Sequence, residues 1–328
     1  MTLEVDVAVA VDVGGTGIKC ALVDTAGVVR LTLRRDTGRD RGPDAVVNTI
    51  VTVATELAER ARTSGLTPIA AGVVVPGVVD EAAGVAQWSA NLGLRDVPIR
   101  DLVGERVGLP TALGHDVRAG ALAEARLGAG RTTRRMLFVA IGTGIAGGYV
   151  VDGRIDPGAH GASGEIGHIM VRTGSDAAPC GCGARGCLEA HASASAIARA
   201  YAEAADHNAA DNIDDNADNN STGGAPSAAR VAELVARGDP RAIGVWQGAV
   251  AALADGLLTG IALYDPRVIV LGGGLAEAGQ ILLGPLQQAL EQRCTFHRLP
   301  ELALAELGDE AGCQGAALLA LDLVGAAP

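Results

Sequence analysis

Three short valine-rich runs at 5–13, 18–24 and 28–33 are separated by glycine turns at Gly14-Gly15 and Gly27. Apolar runs of that length bounded by glycine predict a meander of strands. Across 43–62 the pattern changes, and Val46, Val47, Ile50, Val53, Leu57 and Ala61 recur near the 3.6-residue period of a helix. A buried-looking strand at 69–75 stops at Pro76-Gly77, and a strand-like stretch at 110–113 leads into a helix at 117–127. Further along, strands are expected at 136–141 and 146–151, followed by a loop-rich stretch over 152–186. Helices are expected at 188–205, 241–263, 276–292 and 313–323, with a strand at 268–271. Strands mixed with helices in this way predict an α/β protein. The polar tract at 206–227 contains Asp-Asn-Ile-Asp-Asp-Asn-Ala-Asp-Asn-Asn, has almost nothing to bury, and is expected to be a disordered surface insertion.

At 328 residues the chain is long enough for about two domains and a sizeable core. Hydrophobic residues make up 48% and charged residues 20%, which excludes wholesale disorder. The 46 glycines are about twice the usual share and show no collagen period, so they mark tight backbone turns. With 26 basic against 38 acidic residues the net charge is −12, and an acidic chain repels the phosphate backbone a nucleic-acid binder must neutralise. The N-terminal stretch has no basic leader and carries Glu4 and Asp6, and no apolar run approaches a membrane span, so neither export nor a membrane is expected and the cytoplasm is the default. Lys19 is the only lysine; an ordinary surface role is the alternative to a functional one.

Glycine turns after strands recur three times. Asp12-Val13-Gly14-Gly15-Thr16-Gly17-Ile18-Lys19 joins two strands, Ile141-Gly142-Thr143-Gly144-Ile145 joins two more, and Leu271-Gly272-Gly273-Gly274 leads from a strand to a helix start. Such turns bring backbone N–H groups close to an anion. The first is neither a Walker loop nor the dinucleotide fingerprint, because no helix follows it. One such turn could be structural; three together point to a nucleotide.

His168 is followed by Cys180, Cys182 and Cys187, so one imidazole and three thiols fall within a glycine-rich loop. Three Cys and one His complete a tetrahedral zinc site. A redox pair or idle thiols are the alternatives, and Cys20, Cys294 and Cys313 read as small hydrophobes.

The Asp-x-Gly-Gly-Thr-x-x-x-Lys hairpin, the Gly-Thr-Gly hairpin and the Gly-Gly-Gly turn resemble the phosphate and adenosine elements of the actin, sugar-kinase and heat-shock ATPase superfamily. That resemblance implies two ribonuclease-H-like lobes, an actin/hexokinase-like ATPase fold with a zinc-binding loop insertion. Gly161-Ala-Ser-Gly-Glu-Ile-Gly-His168 with Cys-x-Cys-Gly-x-x-Gly-Cys-Leu-Glu ending at Glu189 resembles, more specifically, the signature of the ROK family of bacterial hexose kinases and sugar-responsive repressors. The implied division is a small lobe over 1–117 completed by a terminal helix at 312–328, and a large lobe over 118–311 with the zinc loop at 160–190. ATP with Mg²⁺ would meet Asp12, Gly14, Gly15, Thr16, Lys19, Gly142, Thr143, Gly144, Gly272, Gly273 and Gly274, with Asp12 in the Mg²⁺ shell. Asp116 would be the catalytic base; a helix N-cap is its structural alternative. Gly77, Asn91, His115, Asp116, Glu165, His168 and Glu189 would surround the sugar, and His168, Cys180, Cys182 and Cys187 would hold a structural Zn²⁺.

The implied reaction is phosphorylation of a hexose 6-hydroxyl, foremost glucose, with N-acetylglucosamine, N-acetylmannosamine or another hexose as the alternative acceptor and polyphosphate as a lesser donor. Many family members carry Asn-Asp where this chain has His115-Asp116, which bears on the choice of sugar. With 11 residues before Asp12, the DNA-binding module of a ROK repressor is not expected. A silent sugar-binding protein is the remaining alternative. The family expectation is a dimer or tetramer.

Overall fold

A computed structural model describes residues 5–211 and 226–328. Positions 212–225, most of the tract expected as a disordered insertion, lie outside the described residues. In chain order the first strands are β1 (Val5–Val13), β2 (Gly17–Asp24) and β3 (Val29–Asp36), followed by helix α1 (Pro43–Thr63) and strand β4 (Leu66–Val75). Short strands β5 (Val78–Asp80), β6 (Val85–Ser89) and β7 (Leu94–Val97) lead to α2 (Ile99–Val107), β8 (Thr111–His115) and α3 (Asp116–Arg126). Next come β9 (Arg135–Ile141), β10 (Ile145–Val151), β11 (Arg154–Ile155), α4 (Leu188–Ala192), α5 (Ala194–Asp211), α6 (Ala228–Ala236) and α7 (Pro240–Tyr264). The chain closes with β12 (Val268–Gly272), α8 (Gln280–Arg293), β13 (Glu301–Leu304) and α9 (Ala311–Leu323).

The chain divides into two compact units. One comprises Met1–Arg134, Gly148–Gly164 and Glu306–Pro328, the other Arg135–Gly147 and Glu165–Ala305. The first unit is built on a sheet ordered β3-β2-β1-β4-β8, in which β1, β4 and β8 run parallel and β1, β2 and β3 form the expected antiparallel meander. Alternation along β1 sends its residues to two faces. Val7, Val9, Val11 and Val13 pack with Val46, Ile50, Val53 and Leu57 of α1. Ala8 and Ala10 meet Ala316, Ala317, Ala320 and Leu321 of α9. The small side chains on that second face let α9 lie almost on the sheet backbone: a Cβ on Gly72 of β4 would fall 1.9 Å from the Ala316 carbonyl oxygen. The terminal helix is therefore part of this core although it is nearly 250 residues away in sequence.

A second sheet is ordered β11-β10-β9-β12-β13, with β12 parallel to both of its neighbours. In the second unit Leu137, Val139, Ile141, Ile269 and Leu271 pack against α7, whose Trp246, Leu253, Leu257 and Ile261 are buried. α7 is long and apolar enough to cross a membrane, contrary to the expectation that no stretch approaches a span. Half of its apolar stretch is buried, Trp246, Leu253, Leu257 and Ile261 in this core, while Leu263 is exposed.

Local structure departs from the sequence reading where a polar residue or glycine has a better use than continuing an element. The helix expected at 188–205 breaks at Ser193, which takes an extended conformation and whose Oγ accepts from Ala196 N at 3.1 Å, capping α5. The helix expected at 276–292 begins only at Gln280, after a 3₁₀ turn over Gly274–Ala278 and Gly279 at φ +57°. The small β5-β6-β7 sheet, α2, α6, β11 and β13 have no counterpart in the sequence reading; none is longer than nine residues, too brief for a period to stand out.

Candidate active site

In the first unit the candidate residues gather at the carboxyl ends of parallel strands, the edge where open α/β sheets bind ligands. Register places Asp12 of β1 opposite Val74 of β4, Val74 opposite Gly114, and Val75 opposite His115 of β8. The Gly14–Thr16 turn is closed by Gly14 N donating to Gly17 O at 2.9 Å. Buried Thr37, which the sequence reading passed over, holds it from just beyond β3: Thr37 Oγ1 donates to Gly14 O at 2.9 Å and Thr37 N to Thr16 O at 3.2 Å. Asn91 stands beside this turn, its Cβ 3.9 Å from where a Cβ on Gly15 would be. Gly77 follows β4 at φ +106°, with the Trp88 carbonyl oxygen 2.3 Å from a would-be Cβ.

Asp12 is crowded. The first turn of α9 leaves no room for a side chain at Gly312, where a Cβ would lie 2.3 Å from Asp12 Oδ2. Burial, and then the charge of Asp116, push the Asp12 carboxyl up to about 6 despite partial relief from Lys19. Lys19, opposite Asp12 across the β1–β2 pairing, gives its Nζ to Asp309 at 3.0 Å, and Arg34 holds the other oxygen of Asp309 at 3.1 Å. The two cations hold Asp309 below the usual carboxylate range.

Asp116 is the first residue of α3, and its Oδ1 accepts from Val117 N at 2.7 Å. The cap is His115, whose Nδ1 accepts from Arg118 N at 3.4 Å and lies 3.3 Å from Asp116 Oδ1. Asp116 is thus not the cap that would explain it structurally, and a carboxylate in the first turn is favoured by the helix dipole. Two residues on, the guanidinium of Arg118 is buried and binds Glu81 Oε1 at 2.8 Å and Gly161 O at 2.8 Å. Arg118 and Glu81 were not singled out from sequence, where they look like any surface pair. Glu81 and Gly161, the two partners of Arg118, line a cavity of about 430 Å³ together with Gln87 and His160.

In the second unit the sheet brings two of the glycine turns together. Gly272 pairs with Ala140, and Gly273, at φ +79°, lies so close to Ile141 that a Cβ would meet its carbonyl oxygen at 2.5 Å. The Gly142–Gly144 turn between β9 and β10 is closed by Gly142 N donating to Gly144 O at 2.9 Å. Among the described residues its Thr143 and Gly144 N–H groups have no partner within the protein, as an anion-binding turn requires.

The ligand atoms of His168, Cys180, Cys182 and Cys187 all lie within 4.8 Å of one another. Cys182 Sγ is 3.7 Å from Cys187 Sγ, and His168 Nδ1 is 3.7 Å from Cys180 Sγ. Tetrahedral zinc with bonds of about 2.3 Å to sulfur and about 2.0 Å to nitrogen has edges of about 3.8 Å (S–S) and about 3.5 Å (N–S), and a disulfide would need about 2.05 Å. The donor set therefore fits zinc, and every cysteine is free. Hydrogen bonding from Ala184 N and Cys180 holds the Cys182 thiol below its usual range, whereas burial, then Cys180 and Cys182, push Cys187 up to about 12. Isolated bridges Met170–Cys187 and Pro179–Arg185 shape the loop, and His191 Nε2 accepts from Ala178 N at 3.3 Å. The loop's start is tied to α7 by Arg172 donating to Asp255 at 2.6 Å, and Arg293 shares that carboxylate at 2.7 Å. His168 Nε2 lies 3.9 Å from Glu165 Oε2, so the ring turns one nitrogen to the thiols and the other to a carboxylate. Glu189 Oε2 accepts from Ile145 N at 2.9 Å, joining the sugar candidates to the Gly142–Gly144 hairpin.

The model of the ROK family matches residues 8–323. The chain belongs to the ROK family. A curated glucokinase of Halalkalibacterium halodurans is 34% identical over 317 residues, covering 94% of this chain and 92% of that protein. Among solved structures, a ROK hexokinase from Thermus thermophilus is 32% identical with a TM-score of 0.79, covering 97% of this chain and 99% of the other. A ROK family glucokinase from Streptomyces griseus, solved with glucose and AMPPNP, is 29% identical with a TM-score of 0.77, covering 96% and 99%. The α/β fold of this ROK protein is the actin/hexokinase-like ATPase fold that its sequence implied.

Proposed function

We propose that this ROK protein is an ATP-dependent hexokinase that phosphorylates the 6-hydroxyl of glucose. The observation that carries the reading is the pair of carboxylates, Asp12 and Asp116, at the carboxyl ends of the parallel strands β1 and β8 of one sheet, near enough for Asp116 to push the Asp12 carboxyl up. Asp116 orients the 6-hydroxyl and takes its proton as the O6–phosphorus bond forms and the bond from the γ-phosphorus to the β–γ bridging oxygen breaks. Asp12 belongs to the Mg²⁺ shell of ATP, and Mg²⁺ supplies charge neutralisation on the transferring phosphoryl group. In the first unit Gly14, Gly15, Thr16 and Lys19 attend the phosphates, and Gly77, Asn91 and His115 the sugar. In the second, Gly142, Thr143 and Gly144 attend the phosphates, Gly272, Gly273 and Gly274 the nucleoside, and Glu165, His168 and Glu189 the sugar hydroxyls.

His168, Cys180, Cys182 and Cys187 hold a structural Zn²⁺, which supplies rigidity and no chemistry: it fixes one His168 nitrogen so that the other can meet a hydroxyl. The protein works in the cytoplasm as a homo-oligomer, a dimer or tetramer, by the same resemblance. An ADP-release assay over a hexose panel tests the reading, with glucose expected as the best acceptor and ATP as the donor. Turnover with polyphosphate alone would replace the donor, and no turnover with any hexose would reject the kinase.

A second reading, an aminosugar kinase, is favoured by His115. Its buried imidazole spends Nδ1 as the acceptor of the α3 cap, which makes Nε2 a donor only, where an asparagine amide would offer both a donor and an acceptor. Turnover of N-acetylglucosamine or N-acetylmannosamine with none of glucose would establish it.

A further inference from the structure

The Gly142–Gly144 hairpin has one side chain, Thr143, and cannot hold its own shape by packing. Besides the Gly273 contact at its base, three attachments among the described residues come from the segments that carry the metal ligands. Two residues beyond Cys187, Glu189 Oε2 accepts from Ile145 N at 2.9 Å, and the carboxylate lies so close that a Cβ on Gly144 would be 2.4 Å from the same oxygen. On the other side of Ile145, Gly167, adjacent to His168, packs its backbone on the Ile145 carbonyl, where a Cβ would stand 2.0 Å from the oxygen. Ala194 N, at the start of α5, donates to Gly142 O at 2.8 Å. Glu189 also reaches the metal cluster, with Oε1 4.0 Å from Cys180 Sγ. Once Cys180 is a thiolate on a cation it no longer donates to Oε1, which frees that oxygen for a sugar hydroxyl while Oε2 keeps the hairpin.

We propose that the His168/Cys180/Cys182/Cys187 cation, acting through Glu189 and Gly167, positions the Gly142–Gly144 hairpin, so that loading the metal tightens nucleotide binding even when no sugar is present. This rests on the reading of the hairpin as a phosphate loop and of the quartet as a zinc site. The segments at 165–170 and 187–194 meet through the Met170–Cys187 bridge, in which Leu188 N donates to Ile169 O at 2.9 Å, and through the packing of Ile166 and Leu188 in one core. A four-coordinate ion adds ties from His168 to all three cysteines. A hairpin held in place before the ligand arrives binds it without the cost of ordering. Glu189 is a positioning residue toward the nucleotide.

The test uses the full chain and no sugar. Calorimetry with a non-hydrolysable ATP analogue and Mg²⁺ is run on protein carrying one zinc per chain, on protein stripped by a chelator, and on stripped protein reloaded with zinc. Stripping is expected to weaken binding about tenfold, within the usual span of coupled sites, and reloading to restore it. Linkage requires the analogue to tighten zinc retention against the chelator by the same factor. Should stripping unfold the chain, zinc-loaded Glu189→Gln and Glu189→Ala decide. The amide oxygen of Gln still accepts from Ile145 N and should keep the affinity, whereas Ala should lose several-fold at unchanged zinc content. Equal affinities for loaded and stripped folded protein, or for the two variants, overturn the coupling and leave the kinase reading standing. No nucleotide binding by the loaded protein overturns both.

Discussion

Asp12 should cost the ligand-free protein stability that it returns only in function. Its carboxyl is raised from 3.8 to about 6, first by burial and then by Asp116. At low pH it is protonated in both the folded and unfolded states and costs nothing. As pH rises from 3.8 toward 6 the unfolded chain ionises Asp12 while the folded chain still holds the proton, so stability falls; above 6 the full cost is expressed. Discounting nothing for a group this enclosed, a shift from 3.8 to about 6 corresponds to about 3 kcal/mol at pH near 7.5, and to only about 0.5 kcal/mol near pH 4. Asp12→Asn keeps the shape and removes the charge. Urea unfolding with chelator present and no nucleotide should therefore show the variant more stable than the parent by about 3 kcal/mol at about pH 7.5, with the curves nearly coincident at about pH 4. Titrating groups that do not feel the charge of Asp12 are common to both proteins and cancel in the comparison. The same variant should lose phosphoryl transfer by at least about a hundredfold. An Asp12→Asn protein no more stable than the parent at the higher pH, or equally stabilised at the lower, would refute the reasoning.

Replacing Asp116 with Asn should lower kcat by about 10²–10⁴ while changing unfolding stability by no more than about 1 kcal/mol, because the base is lost but the first-turn acceptor for Val117 N remains. Dialysis against a strong chelator should release one zinc per chain, measured by atomic emission, and Cys187→Ser should bind it far more weakly. Gly72→Ala should destabilise the first unit by more than about 3 kcal/mol in denaturant titration, because the new methyl would overlap the Ala316 carbonyl and push α9 off the sheet. Leu253→Ala in the middle of α7 should cost about 2–5 kcal/mol by the same measurement, since it empties a fully buried site in the second core.

Chemistry carried by short spacing was legible without a structure. The meander at the start of β1, the glycine turns and the His168–Cys187 quartet depend on residues a few positions apart, and period and spacing are local properties that a linear string preserves. The α/β class follows from the same local periods. Boundaries failed where one side chain had a competing local bond, as at Ser193, or where Gly279 left the helical region. The short strands β5, β6 and β7 were invisible because their stability comes from pairing with each other, which no single run records.

Sequence by itself determined which groups this chain can bring to a reaction: two candidate acids at 12 and 116, three glycine turns and four metal donors. Tertiary structure alone decided what those groups touch. It placed Asp12 and Asp116 on one sheet edge by setting β4 between β1 and β8, gave Lys19 to Asp309, and closed the first core with α9. It also set Glu189 of α4 against Gly144 and Ile145, 44 residues earlier. Such pairings follow from strand order and helix packing, which sum many weak contacts over the whole chain, so no window of sequence contains them.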